Sequence, residues 1–408
     1  MFLRLSFLLA LTTLSFAAPP ASLPKLAPRD AGFSTERLSR IHDLLQGWVD
    51  RKQFAGVTVA VVRHGKLAYF ETAGFADLEK KKPLEPGTIF RMHSMTKPIA
   101  SAAVMILFDE GKLQLDDPLS KFIPGFEKVT VLKTPNGDGA EVVPANKPVT
   151  IKHLLTHTSG INNVKAYQAT KTFDRGSTLE AMASKLPSIP LVHQPGEGWQ
   201  YGMSIDVLGR VVEVASGKPF DVFLHERILK PLGMVDTDFF VPTEKLPRLS
   251  ANYRLNESGA LELAPTRPDE NTKPAMLSGG GGLYGTASDY LRFCQMLLNG
   301  GELDGHRILS RKAVELMFMN QVPVNVVPAN GPNNRTGYGF GFGGAVMLDL
   351  AATQAMGSVG EYQWGGAAGT FFFISPKDDL IGLLLVQRPP YVPGPGRAFK
   401  NLIYAALE

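Results

Sequence analysis

Ser94 and Lys97 stand three residues apart in the run Phe90-Arg91-Met92-His93-Ser94-Met95-Thr96-Lys97-Pro98. On a helix, positions i and i+3 share a face, so the lysine amine can reach the serine hydroxyl. An amine in a partly buried place gives up its charge more readily and can serve as the base for a nucleophilic serine. A helix opening here also points backbone N–H groups at any developing oxyanion. Spacing alone favours a plainer reading, an ordinary N-capping serine. A second Ser-x-x-Lys, Ser22 to Lys25, lies in a Pro-rich stretch where no helix can form. Pro98 deprives the Ser94 carbonyl of a helical donor, which is tolerable only if Ser94 lies at the helix start.

Tyr201 follows the loop Pro195-Gly196-Glu197-Gly198-Trp199 and precedes a helical run. A loop tyrosine with lysines nearby can carry a proton, and the alternative is a packing tyrosine. Gln363-Trp364-Gly365-Gly366-Ala367-Ala368-Gly369-Thr370 precedes a strong β run. Backbone without side chains lets an edge strand approach a ligand closely and offer an N–H to an oxyanion. A simple glycine-rich bend is the alternative.

Other chemistries find little support. Gly279 to Gly282 has no Gly-Lys-Ser/Thr after it, so it is not a phosphate loop. His153 and His157 are four apart but lack the His-Glu-x-x-His pattern of a zinc site. His157 is expected to hold its loop by hydrogen bonds. No Gly-x-Ser-x-Gly occurs, which argues against an α/β-hydrolase. The single cysteine, Cys294, rules out an intrachain disulfide and is expected to fill a buried helix face. A net charge of +4 over 408 residues is too small for a nucleic-acid footprint.

Around these residues the chain reads as hairpin-rich ends flanking a helix-rich middle. Residues 34–50 carry Leu38, Ile41, Leu44, Leu45 and Trp48 at helical spacing behind an N-capping Ser34. Two β runs meet at His64-Gly65, and two more flank residues 375–379. Residues 98–113, 203–216, 220–230, 286–299 and 310–318 read as helices, with a capping box at Thr286 and Asp289, and a last helix runs from 396 to 407. Residues 133–148 read as a surface loop and Asp116-Asp117-Pro118 as a turn. The expected fold is α+β: a central antiparallel sheet built from both termini, flanked by helices, with a helix-rich insertion. The expected domains are 30–92 with 275–408 for the sheet, and 93–274 for the insertion.

Four ordered motifs give the chain a family likeness. Phe90 to Pro98, Leu154-Leu155-Thr156-His157-Thr158-Ser159-Gly160, Pro195-Gly196 through Tyr201 to Asp206-Val207-Leu208-Gly209, and Ser278 to Leu283 with Ser288-Asp289 resemble the serine β-lactamase/penicillin-binding superfamily. The likeness covers roughly residues 30–408, and the branch it resembles most is the class C β-lactamase-like carboxylesterases, often called family VIII. It implies double-displacement acyl transfer with Ser94 as nucleophile and Lys97 as its base or electrostatic tuner. Tyr201 would shuttle the proton to the leaving group and then activate water. The N–H groups of Ser94 and Ala367 would hold the oxyanion, and Trp364-Gly365-Gly366 would replace the family's Lys-Thr-Gly. Tyr-x-Asn is likewise replaced, by Tyr201-Gly202-Met203. Met203 and Trp364, with Gly365 and Gly366, would line a pocket better suited to a neutral ester than to an anionic lactam.

The expected function is therefore ester hydrolysis through an acyl-enzyme, with no cofactor or metal and no nucleic-acid partner. Alternatives within the mechanism are a β-lactamase, a D-alanyl-D-alanine carboxypeptidase and acyl transfer to an alcohol. A non-turnover sensor that traps an acyl group is the alternative from another class. Residues 1–17, with Arg4, an apolar run and small Ser15 and Ala17, read as a cleaved export signal. The apolar run is too short for a stable membrane anchor, so a periplasmic or secreted enzyme is expected.

Overall fold

A computed structural model describes residues 22–134, 141–174, 176–323, 326 and 336–408. The expected export signal lies outside these residues.

Helix α1 (Thr35–Asp50) opens on Ser34, whose hydroxyl accepts from the Arg37 N–H. Strands β1 (Gly56–Arg63) and β2 (Lys66–Asp77) follow, joined by His64 and Gly65, both at positive φ. That conformation at both central residues gives a two-residue turn whose twist matches the strands. Strand β3 (Lys82–Pro83) lies beside β2. Helix α2 (Thr96–Asp109) is buried from Thr96 to Leu107. A helix apolar on all sides belongs in a core, and this one carries Lys97 into it. Helix α3 (Ser204–Ser216) packs on α2, and α4 (Ala287–Leu298) follows later in the chain. Strands β4 (Tyr338–Phe340), β5 (Ala345–Met347), β6 (Tyr362–Gly365), β7 (Phe371–Ser375) and β8 (Leu380–Leu385) lead to helix α5 (Pro393–Ala406).

The eight strands form one antiparallel sheet in the order β4-β5-β6-β7-β8-β1-β2-β3. The junction of the two chain ends is β1 on β8, in register from Thr58 opposite Leu385 to Arg63 opposite Leu380. Strand β1 is buried almost throughout because both faces of the sheet are covered. Val57, Val59 and Val61 face Leu38, Ile41 and Leu45 of α1 and Phe399 and Ile403 of α5. Ala60 and Val62 face the larger core that includes α2, α3 and α4. The fold is thus β-lactamase-like, with the sheet and its helices as expected.

Several boundaries differ from the sequence reading. The helix expected at 98–113 runs from Thr96 to Asp109. The one expected at 220–230 is α-helical only over Phe220–Leu224 and widens to a π turn over His225–Leu229. The last helix starts at Pro393 rather than 396. Prolines fit there because first-turn N–H groups have no helical acceptor. The expected loop at 133–148 is partly a hairpin, with Thr130–Leu132 paired to Val142–Pro144; residues 135–140 lie outside the description. At α4, Thr286 caps the Asp289 N–H. The Asp289 carboxylate does not complete the capping box and accepts from Asp236 N–H and Thr237 instead.

Candidate active site

Ser94 sits in a tight 3₁₀ turn, His93–Met95, that runs directly into α2. It does not open the helix as a cap: neither the turn nor α2 shows a side-chain cap hydrogen bond. Its hydroxyl instead accepts from Lys97 Nζ at 3.2 Å. The strand Phe90–Arg91 pairs with Tyr284–Gly285 and fixes the approach to the turn. Tyr290 of α4 donates to the Met95 carbonyl at 2.9 Å and fixes its exit. His93, just before the serine, takes φ +46°. A histidine in the left-handed region is strained, and such strain persists only where the surroundings over-determine it.

Lys97 is 4% exposed, yet it forms no ion pair among the described residues. Its Nζ donates to the Gly280 carbonyl at 2.6 Å as well as to Ser94. The loop bearing that carbonyl is held by Asp206 on α3, whose Oδ1 accepts from Gly280 N–H at 3.1 Å and from the Ser278 hydroxyl at 2.5 Å. A Cβ on residue 280 would lie 2.4 Å from Asp206 Oδ2, so only glycine lets the carboxylate come this close. Asp206 and Gly280 belong to the motifs that carried the family likeness, but spacing gave them no role. Their signal was a buried carboxylate in the first turn of a helix and a glycine run with no phosphate-loop continuation.

Tyr201 enters from the loop before α3. Lys97 Nζ lies 4.6 Å from the centre of its ring. Its hydroxyl accepts from Trp364 Nε1 at 3.3 Å. The Tyr201 loop is braced by Asn162, which donates to the Tyr201 carbonyl, and by His157 Nδ1, which accepts from Gly202 N–H. His157 holds its loop as expected. Complete burial, and secondarily the Lys97 charge, push its pKa well down, so it is a neutral acceptor. His153 accepts from Thr150 N–H in a capping box instead of facing a metal.

Strand β6 brings the remaining candidates. Trp364 is only 4% exposed, so it is largely covered by Tyr201 and Phe340 and offers a ligand little surface. Gly366 lies tight against the entry to the serine turn: a Cβ there would be 2.4 Å from the Met92 carbonyl oxygen. The next residue, Ala367, is exposed at the strand's end. Met203 is half-buried at the start of α3 and faces a cavity of about 330 Å³ that His93 and Gly281 also line. Arg388, a possible partner for an anionic substrate, turns away and stacks its guanidinium over Phe54 at 4.8 Å.

The site thus joins a serine and a buried lysine from one helical segment with a tyrosine from the loop before α3, beside the interior strand β6 of the sheet. Residues 41–406 match the family model described as Beta-lactamase. Protein Rv1367c of Mycobacterium tuberculosis is 37% identical over 354 residues, covering 84% of this chain and 88% of its own. Esterase EstB of Burkholderia gladioli is 32% identical over 385 residues, covering 88% of this chain and 91% of its own. Among solved structures, EstCE1, titled a hydrolase with promiscuous acyltransferase activity, aligns with a TM-score of 0.77 at 28% identity, covering 90% of this chain and 99% of that one. Motif order, sheet topology and these matches agree over nearly the whole described chain, which makes it an enzyme of the serine β-lactamase/penicillin-binding superfamily.

Proposed function

We propose that the enzyme is a serine carboxylesterase working through an acyl-enzyme on Ser94. The observation that carries this reading is the 3.2 Å contact between Lys97 Nζ and Ser94 Oγ inside a buried helix start. Ser94 Oγ forms a bond to the ester carbonyl carbon and its proton passes into the Lys97–Tyr201 pair. The N–H groups of Ser94 and Ala367 hold the oxyanion. The carbon–oxygen bond to the alcohol then breaks, and Tyr201 returns the proton to the departing oxygen. Water repeats the sequence, with Tyr201 taking its proton, and releases the acid and free Ser94.

The apolar surroundings support a neutral substrate. An anionic lactam would leave water without a cation free to receive its carboxylate, because Trp364 stands where the family carries a lysine, Arg388 lies on Phe54, and Lys97 is engaged by Ser94, the Gly280 carbonyl and the Tyr201 ring. Unpaired desolvation costs several kcal/mol, and each ~1.4 kcal/mol is tenfold in rate. The test is kcat/KM for a short p-nitrophenyl ester beside a chromogenic cephalosporin. The ester is expected to lead by about a hundredfold or more, and equal rates would overturn the reading. Acyl transfer to an alcohol is a second outcome of the same intermediate, and EstCE1, titled a hydrolase with promiscuous acyltransferase activity, supports it. We place the enzyme outside the cytoplasm on the export signal read in residues 1–17. Among the described residues no helix is long and apolar enough to cross a membrane.

A further inference from the structure

The cavity of about 330 Å³ beside the serine turn is at the small end of the ~300–1,000 Å³ typical of ligand sites. It meets the reaction centre at His93 and Gly281, the neighbours of Ser94 and of the Gly280 carbonyl. Ser94 itself does not line it, so the cavity starts one residue from the nucleophile, and neither Lys97, Tyr201 nor Trp364 lines it. The departing alcohol must stay within reach of the Tyr201 hydroxyl to be protonated, so it lies on the other side of the carbonyl carbon. The acyl group is what this geometry leaves for the cavity.

Its walls state what that group is. Phe173, Met203, Met276 and Leu283 make an apolar sleeve. The polar groups are of two kinds. The charged ones are already matched: Arg91 donates to both oxygens of Glu270 at 2.7 and 2.6 Å, and Arg267 donates to Asp269. Asp206 also lines the cavity, its Oδ1 held by Gly280 N–H and the Ser278 hydroxyl, so the lining offers an anionic group no cation that is not already engaged. Asn252 is different. It is 7% exposed, its side-chain amide makes no hydrogen bond among the described residues, and its Oδ1 is buried with no partner. The His93 ring is likewise without a hydrogen bond, with Nε2 buried and unpaired. Buried polar groups are nearly always satisfied, so two orphans on one small cavity point to a ligand that completes them.

We propose that the cavity is the acyl pocket, and that its preferred acyl group is a neutral, mid-length chain carrying a hydroxyl that donates to Asn252 Oδ1. This rests on the esterase reading above. A site built to bond a substrate oxygen discriminates against the analogue that lacks it, because the protein's own polar group is then left unpaired.

The test uses the full-length enzyme and p-nitrophenyl butanoate, hexanoate and octanoate, each beside its terminally hydroxylated counterpart. At one chain length the hydroxylated ester is expected to have a kcat/KM about tenfold above the plain one. Asn252→Leu should bring that ratio to about one. Met276→Trp, which fills the cavity from its apolar wall, should lower octanoate turnover relative to acetate turnover. A wild-type ratio of one at every length overturns the proposal without recourse to any variant, as does a preference that survives Asn252→Leu. Failure of the esterase reading looks different: p-nitrophenyl acetate would be hydrolysed no faster by wild type than by Ser94→Ala.

Discussion

The indole N–H of Trp364 donates to the Tyr201 hydroxyl over 3.3 Å, and the two rings lie 5.3 Å apart. Under the proposed assignment of Trp364 to the family's strand-lysine position, the tryptophan does more than remove a cation. It gives the tyrosine oxygen a fixed donor, which holds the hydroxyl in one orientation. Trp364→Phe keeps the ring and loses the donor. A hydrogen bond is worth about 0.5–1.5 kcal/mol, so kcat should fall by up to about tenfold. KM for a short ester should move little, since the tryptophan is largely covered. Steady-state kinetics on one ester decide it, and an unchanged kcat removes Trp364 from the proton path.

Lys97→Ala and Tyr201→Phe should each lower ester turnover by about 10²–10⁴-fold with the fold intact by circular dichroism. The double variant should be little worse than either, because the two groups serve one proton path. A fluorophosphonate probe followed by peptide mapping should label Ser94 alone. Ser159 and Ser204 are nearby hydroxyls, but they bond each other at 2.9 Å and are each 1% exposed. Label on either one would move the nucleophile.

Asp206 holds the loop that positions Lys97, without touching the serine itself. Asp206→Ala leaves Gly280 N–H and the Ser278 hydroxyl without their acceptor. The expected cost is about 2–3 kcal/mol of stability by denaturant titration, with kcat lowered because the carbonyl that Lys97 donates to loses its support. Asp206→Asn keeps an acceptor oxygen and should recover much of both. A variant with normal stability and an unchanged kcat would show that Lys97 does not depend on this loop.

Acid should weaken the fold in a defined window. Burial, followed by neighbouring positive charge, holds His93 and His153 down to about 4. Their folded values lie below the ordinary ~6.5, so the stability they confer is present in full above about 6.5. It is lost as pH falls toward about 4, because the unfolded chain takes up protons that the native chain refuses. His153→Gln retains an acceptor for the Thr150 N–H and removes one of these titrations. Urea midpoints at neutral pH and near the lower limit should differ less in this variant than in wild type. An identical difference would mean that His153 has no part in the acid sensitivity.

The sequence by itself determined the elements and the order of the motifs. Local signals sufficed for that: Ser34 at the head of an amphipathic run, two-residue turns such as His64-Gly65, and β runs dense enough to be buried on both faces. It also paired Ser94 with Lys97, because i and i+3 on one turn are neighbours whatever the rest of the chain does. Boundaries were less legible where tertiary contact overrides propensity, as in the hairpin within residues 130–144 and the π turn after Leu224. Only the tertiary structure decided how the site is held. Trp364 and Tyr201 are 163 positions apart, and Lys97 and Gly280 are 183 apart. No periodicity links such residues; they meet through tertiary contacts such as the pairing of Phe90–Arg91 with Tyr284–Gly285, which sets the Ser94 turn beside the Gly280 loop. Burial was equally out of reach of the sequence. Trp364 as a covered donor, Arg388 turned onto Phe54, and Asn252 left unpaired beside a cavity are properties of packing, which depends on every neighbour at once.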